Sequence, residues 1–248
     1  MNAQPSNNPP CILALEPSTR TFGLAVGEGR RVLADLAVEN DRALSSLILP
    51  RVRDVLKQAG KKLEQIDALA VGLGPGSFTS LRVGVSTVKG LAHALDIPVI
   101  GIPTLDVIAR NAMPAARDET DGICVLGDAR RGLVFFAGYT LKDGEPVRAT
   151  EYLLIEPKAA LSSCRGRNVF LGDGAELYRK LICEQAEDAG TYDPVILPLE
   201  TAAPRTAVLF ELAVRRFRQG AFDSIDSLVP LYLYEQDCQV RKDGRRET

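Results

Sequence analysis

Residues 68–108, ALAVGLGPGSFTSLRVGVSTVKGLAHALDIPVIGIPTLDVI, constrain the fold of this chain more than any other stretch. They read as buried strand, glycine-rich turn, helix, buried strand and next helix. The run at 68–71 is continuously apolar, as in a strand covered on both faces. Gly72, Gly74, Pro75 and Gly76 end it. Ser77 or Thr79 then supplies a helix cap. The helix over residues 80–95 has three faces. Leu81, Val85, Val88, Ala92 and Leu95 form an apolar stripe; Val83, Thr87, Gly90 and Ala94 form a second stripe of mainly small residues; Arg82, Ser86, Lys89 and His93 form a polar one. A second small face lets another backbone come close. It belongs either to a central helix buried against a sheet or to one that meets a helix of another subunit.

Upstream, residues 11–16, 22–27 and 31–39 read as strands. Their connections, PSTRT and EGR, are too short for crossovers, so the three form an antiparallel meander. Residues 41–60 follow as a helix with Asp41 as cap and Gly60 as stop. Leu44, Leu47, Ile48, Val52, Val55, Leu56 and Ala59 recur along it at helical spacing, and Pro50 removes one internal hydrogen bond and kinks it. This wide apolar arc again predicts contact beyond the core side.

After residue 108 a polar link, 111–121, leads to strands at 123–127 and 133–139 and a third at 147–155. A helix at 158–163, a strand at 169–171, a Gly172-Asp173-Gly174 turn before a helix at 175–186, a strand at 195–197 and a helix at 204–219 complete the pattern. The predicted organisation is a disordered tail (1–10), a first lobe (11–110), a smaller second lobe (111–236) with helix 204–219 packing back on the first, and a mobile basic tail (237–248).

The net charge of −2 argues against a surface that is wholly a nucleic-acid footprint. No apolar run approaches the ~20 residues of a membrane span, and the polar start MNAQPSNNPP is not a secretory signal. Five widely spaced cysteines without a CxxC pair fit reduced thiols in a cytoplasmic protein. The GLGPGSFTS loop sits where phosphates are held at helix N-termini, yet it lacks a GK[ST] ending, misses GxGxxG and loses a donor at Pro75. A tight turn that lets helix approach sheet is the simpler reading.

The block VGLGPGSFTSLRVGVSTVKGLAHALDIPVIGIPTLD resembles the signature of the TsaB family, and the similarity runs from Ile12 to about Asp237. The order of elements also matches the ribonuclease H-like half of the actin, sugar-kinase and heat-shock ATPase superfamily. The resemblance therefore implies a two-lobed α/β fold with mixed sheets flanked by helices. Fold-level likeness by itself says nothing of activity. What the TsaB resemblance implies is a non-catalytic partner of TsaD. TsaD transfers a threonylcarbamoyl group to the adenosine beside the anticodon in tRNAs reading A-starting codons, and an ATPase, TsaE, joins the pair. The implied interface lies on the helices over 41–59 and 80–95, with Leu44, Leu47, Ile48, Arg51, Leu81, Arg82, Val85 and Lys89 as its residues. The same faces predict a homodimer when the chain is alone, with tRNA reached through the complex.

In that superfamily the turn after the first strand grips phosphate, starting with Asp and carrying a glycine soon after. Here it reads Glu16-Pro17-Ser18-Thr19, without the glycine and with one backbone donor lost at Pro17. Glu16, Ser18, Thr19 and Asp128 (in the Asp128-Ala129-Arg130 match to the family) are then vestigial nucleotide contacts, although Glu16 retains the reach to hold a metal ion through water. No cofactor is expected in the isolated chain; ATP or ADP with Mg belongs at the complex interface. TsaD and its relatives bind a catalytic metal with an HxxxH pair. This chain has one histidine, His93, so neither that site nor metallopeptidase chemistry is available. The alternative is an active ATP-dependent phosphotransferase or ATPase of the same superfamily, with Glu16 or Asp128 as its carboxylate. Other departures from the family are Ser80, often Gly, and Leu44, often His.

Overall fold

Strands that are apolar at every position need cover on both faces, and both sheets of this chain have it. The computed structural model describes residues 9–39 and 44–234. The first lobe runs through β1 (Cys11–Glu16), β2 (Thr21–Glu28), β3 (Arg31–Glu39), helix α1 (Leu44–Gln58), β4 (Ala68–Gly72), helix α2 (Phe78–Leu95), β5 (Val99–Ile102) and the short helix α3 (Thr104–Ala109). Its sheet has the order β3-β2-β1-β4-β5. The meander β1–β2–β3 is antiparallel, and β4 and β5 add in parallel beside β1.

The second lobe contains β6 (Gly122–Arg130), β7 (Leu133–Lys142), β8 (Glu145–Arg148), β9 (Leu153–Ile155), α4 (Pro157–Leu161), β10 (Gly166–Leu171), α5 (Asp173–Leu177), α6 (Arg179–Ala189) and β11 (Tyr192–Ile196). Its sheet, β8-β7-β6-β10-β11, repeats the order and the polarity of the first. The architecture is the expected one: two lobes of mixed sheet flanked by helices. Among the described residues no helix is long and apolar enough to cross a membrane.

One face of the first sheet packs on α1 and α2 through Ile48, Val52, Val55, Val85, Val88 and Ala92. The other face is covered by α7 (Thr206–Arg218), whose Val208, Leu209, Phe210 and Ala213 meet Ile12, Ala14, Ala25 and Ala70. Gly27 has no side chain because the Phe210 ring occupies its place; a Cβ there would lie 2.4 Å from the ring.

Three elements differ from the sequence expectation. The single strand expected over 147–155 is two strands, β8 and β9, both paired with β7. Between them Ala149 donates to the Gly138 carbonyl, and the Gly138 amide donates to the Thr150 hydroxyl, so the chain leaves the ladder and rejoins it. The helix expected over 175–186 starts earlier and breaks at Tyr178 into α5 and α6. Gly172, at φ +108, lies against the Leu126 carbonyl and delivers the chain directly into helix. Helix α1 runs unbroken through Pro50. Its expected cap, Asp41, lies outside the described residues, as do the tail at 237–248 and residues 1–8.

Helix α3 joins the lobes. Leu105, Ile108 and Ala109 pack on Ile123, Val125 and Tyr139 of the second sheet, while Val107 belongs to the core under α7. Its Asp106 carboxylate accepts hydrogen bonds from the Tyr139 and Tyr152 hydroxyls, each at 2.8 Å. Burial raises the Asp106 carboxyl above its ordinary range against those two bonds. The polar neighbours Arg110 and Arg215 both grip Glu145. Past α7, residues 222–234 cross back as a strap. Asp223 bonds the Gly101 amide at 2.7 Å, the Leu231 amide donates to the Leu73 carbonyl at 2.8 Å, and the Tyr234 hydroxyl donates to the Ala129 carbonyl of the second lobe.

Tyr139→Phe leaves one oxygen of a buried carboxylate with fewer donors, an expected loss of about 1–3 kcal/mol. Urea unfolding should give this loss in a single transition, because the tyrosine ties the two lobes. Separate transitions with only the second lobe weakened would contradict the coupling.

Candidate functional site

β1 delivers Glu16 to the corner where β4, α2 and α3 begin or end. The side chain is 1% exposed. One carboxylate oxygen accepts the Ser18 amide at 3.0 Å, and the Thr104 hydroxyl donates to the pair at 3.3 and 3.4 Å. Thr104 also holds the glycine loop. Its hydroxyl accepts the Gly74 amide at 3.1 Å, and its own amide donates to the Gly74 carbonyl at 2.7 Å.

The loop in turn fills the Glu16-Pro17-Ser18 turn. Ser77 donates its amide to the Ser18 carbonyl at 2.7 Å. A Cβ on Gly76 would lie 2.2 Å from that carbonyl, one on Gly72 2.2 Å from the Glu16 carboxylate and one on Gly84 2.5 Å from the Pro17 ring. The glycines of GLGPG and α2 are thus the clearance for this turn. Ser77 stands at the N-cap of α2, but its hydroxyl meets Ser80 Oγ at 2.8 Å and not a backbone amide; Thr79 lies within the helix. Thr19 closes its own small turn with Thr21.

Phosphate recognition needs backbone amides free to converge on an anion. Here the Ser18 amide is taken by Glu16, and the Ser77 amide is taken by Ser18. A buried carboxylate occupies the position an anion would approach. The residues present do not fit a phosphate group, and Glu16 is too enclosed to reach a metal through water. Asp128 belongs to a separate network in the second lobe. It receives the Arg130 amide at 2.8 Å and the Arg130 guanidinium at 3.1 Å, and donates its own amide to Asp173 at 2.8 Å. Glu16 and Asp128 therefore have internal partners, as do the Ser18 amide and carbonyl, whereas the buried Ser18 hydroxyl has no hydrogen-bond partner within reach among the described residues; Asp128 sits in a salt-bridged hairpin.

The expected partner-interface residues separate into three groups. Ile48, Leu81 and Val85 are core, at 2%, 1% and 3% exposure, because their stripe faces the first sheet. Arg82 and Lys89 hold the strap: Arg82 lies over the Phe78 ring and donates to the Tyr232 hydroxyl at 3.0 Å, and Lys89 donates to the carbonyls of Asp226 and Leu228 at 3.3 Å. Arg82 stays exposed and Lys89 half-buried under the strap; Leu47 is half-buried, and Arg51, also half-buried, pairs with Asp54 at 3.1 Å; the Leu44 side chain lies outside the described residues. The open face is a different one. It carries the small stripe of α2, with Val83 and Thr87 half-buried and Gly90 and Ala94 exposed. Next to it Leu49 is 54% exposed, and an open groove of about 760 Å³ runs over Leu49, Leu56, Leu63 and Leu91 with Arg53, Lys57 and Lys62 on its rim. The small stripe was visible in the sequence; the strap that covers the polar stripe was not.

Fold and site together define a protein of two lobes, each a mixed sheet flanked by helices, whose glycine loop packs into the turn after its first strand. A family model described as TsaD, tRNA N6-adenosine threonylcarbamoyltransferase, matches residues 37–241. The tRNA threonylcarbamoyladenosine biosynthesis protein TsaB of Bacillus subtilis is 30% identical over 234 residues, covering 93% of this chain and 96% of that one. Its namesake in Escherichia coli is 28% identical over 230 residues, covering 90% and 94%. The solved structure of YeaZ from Pseudomonas aeruginosa superposes with a TM-score of 0.76 at 29% identity, over 90% of this chain and all of that one. The chain belongs to the TsaB family.

Burial pushes the Glu16 carboxyl up to about 6, against the hydrogen bonds from Ser18 and Thr104. A folded-state value above the unfolded one favours the protonated form in the fold. This contribution to stability is complete below about pH 4.5 and is lost as pH rises through 6. Glu16→Gln should therefore unfold at higher urea than wild type at pH 7.5, by up to about 2 kcal/mol, with the gain vanishing near pH 4.5. A variant less stable than wild type at pH 7.5 would mean that the carboxylate is a net stabilising group.

Proposed function

We propose that the chain is the non-catalytic subunit of the machinery for tRNA threonylcarbamoyladenosine synthesis. It docks on TsaD, with TsaE joining the pair, for threonylcarbamoylation of the adenosine next to the anticodon in tRNAs that read A-starting codons. The names of its TsaB relatives and the TsaD family match support the pathway. The self-filled corner at Glu16 supports the non-catalytic part: among the described residues that turn is occupied by Gly76 and a buried carboxylate and leaves no room there for a phosphate. Any nucleotide of the complex then lies with the partners. tRNA is reached through the assembly, in keeping with a net charge of −2.

The docking face is the outer side of α1 and α2. Small residues on α2 permit close helix approach, and the exposed Leu49 beside them is an apolar anchor. In the absence of TsaD the same face pairs two copies of the chain.

Gly90→Arg and Leu49→Asp test this. Nothing lies within 4 Å of a Cβ on Gly90, and replacing a helix-interior glycine removes its entropic cost, so the fold should hold. Size-exclusion chromatography with light scattering should show a heterodimer of wild type with its organism's TsaD, lost in both variants while their melting temperatures stay near wild type. Leu81→Asp, which buries an unpaired charge, should instead unfold the chain. A complex that survives both surface variants would move the interface elsewhere. Metal-dependent ATP turnover by the isolated chain that Glu16→Ala abolishes would overturn the non-catalytic reading in favour of a phosphotransferase.

A further inference from the structure

Two thiols inside the second lobe lie in contact. Cys124 is on β6 and Cys164 is in the turn between α4 and β10, 40 residues apart in sequence, and their sulfurs are 3.7 Å apart. Both are enclosed, at 5% and 4% exposure, within the core that α4 and α6 form on the sheet. Their other polar contacts are long. Cys124 Sγ faces the Asn168 side-chain carbonyl at 3.6 Å, and Cys164 Sγ faces the Ala160 carbonyl at 3.8 Å. Asn168 is fixed independently by donating to the carbonyls of Arg165 and Gly166.

The two sulfurs are not equivalent. A hydrogen bond from Cys124 draws the Cys164 thiol below its ordinary range, and the Arg165 charge acts in the same direction against burial. The same hydrogen bond, followed by burial, pushes the Cys124 thiol up. Arg165, whose guanidinium donates to the Cys164 carbonyl at 2.7 Å, places a positive charge beside Cys164, which makes Cys164 the attacking thiol and Cys124 its partner. Among the described residues the other two cysteines lack this arrangement. Cys11 is buried in the first lobe, with its thiol pushed up to about 11 by burial. Cys183 is exposed on α6, and Cys238 lies outside the described residues.

We propose that Cys124 and Cys164 form a redox-active dithiol that closes to an intramolecular disulfide when a hydroperoxide oxidises the protein. The Cys164 thiolate attacks one peroxide oxygen. The O–O bond breaks, hydroxide leaves and takes up the proton that Cys164 had released, and Cys164 becomes a sulfenic acid. The Cys124 sulfur then attacks the Cys164 sulfur, the S–O bond breaks, and the hydroxyl leaves as water with the Cys124 proton. Two thiols are oxidised to one disulfide, and one hydrogen peroxide is reduced to two waters. Closure requires the sulfurs to approach by about 1.7 Å. The Cys164 side provides this movement, because it sits in a turn while Cys124 is held in a central strand. The bond ties the α4–β10 turn to β6, whose far end carries Asp128 and the strap contact at Ala129.

The test uses the full chain, freed of reductant and treated with hydrogen peroxide at neutral pH. Free thiols are then alkylated in denaturant, and the unreduced digest is read by mass spectrometry. The expected result is a linked Cys124–Cys164 peptide, lighter by two hydrogen atoms than the separate peptides and released by dithiothreitol. Cys183→Ser should retain it and Cys164→Ser should lose it. The wild-type digest decides first, so misfolding of a variant does not obscure the result. Recovery of both Cys124 and Cys164 fully alkylated, while Cys183 is oxidised, would overturn the proposal. So would linkage of either residue to Cys183 or Cys238 as the main product.

Discussion

The hydrogen bonds from Ser18 and Thr104 to the buried Glu16 carboxylate draw several elements of the first lobe to one corner. Through them the end of β1 is joined to the start of α3. Through the second role of Thr104 both are joined to Gly74, and hence to the end of β4 and the entry of α2. An enclosed carboxylate is costly unless donors surround it. The glycine loop is shaped around that requirement, because side chains at positions 72, 76 or 84 would strike the carboxylate or its turn. A phosphate-binding corner has the opposite need: it must leave amides unpaired until the anion arrives.

The contacts between the lobes follow the same logic. An enzyme that closes on nucleotide needs a hinge. Here α3 is packed into both halves of the molecule, Asp106 collects two tyrosine hydroxyls from the second lobe, and Arg110 and Arg215 share Glu145. The strap adds a further tie from Gly101 through Leu73 to Ala129. These contacts tie the two lobes together through α3 and the strap.

The sequence made much of this legible. Continuous apolar runs and short turns place the first sheet, and the one-histidine count removes a metal pair without any structure. The missing glycine and Pro17 after Glu16 signalled a poor phosphate turn, but not that Gly76 and Gly84 are small to accommodate Ser18 and Pro17. Pairings across 58 or more residues have no local periodicity. The split of 147–155 was hidden for a related reason: Gly138 and Thr150 interrupt the ladder through a hydroxyl, and apolar alternation does not register that. The Cys124–Cys164 contact is likewise a product of the fold alone, since a spacing of 40 residues matches no local motif.

Helix α2 shows how far a helical-wheel reading reaches. Its three stripes have three distinct surroundings. The large apolar stripe meets the sheet, as any amphipathic helix would have it. The polar stripe, which periodicity alone assigns to water, is partly covered by the chain's own residues 226–232 through Arg82 and Lys89. The small stripe, which composition alone would assign to the interior, faces outward at Gly90 and Ala94. Hydrophobicity therefore ranks these faces correctly only for the first. The strap gives the cations carbonyls and the Tyr232 ring as partners while Arg82 stays exposed and Lys89 half-buried. The small stripe has no internal cover at Gly90 and Ala94 among the described residues, and this is the observation on which the proposed docking face of α1 and α2 rests.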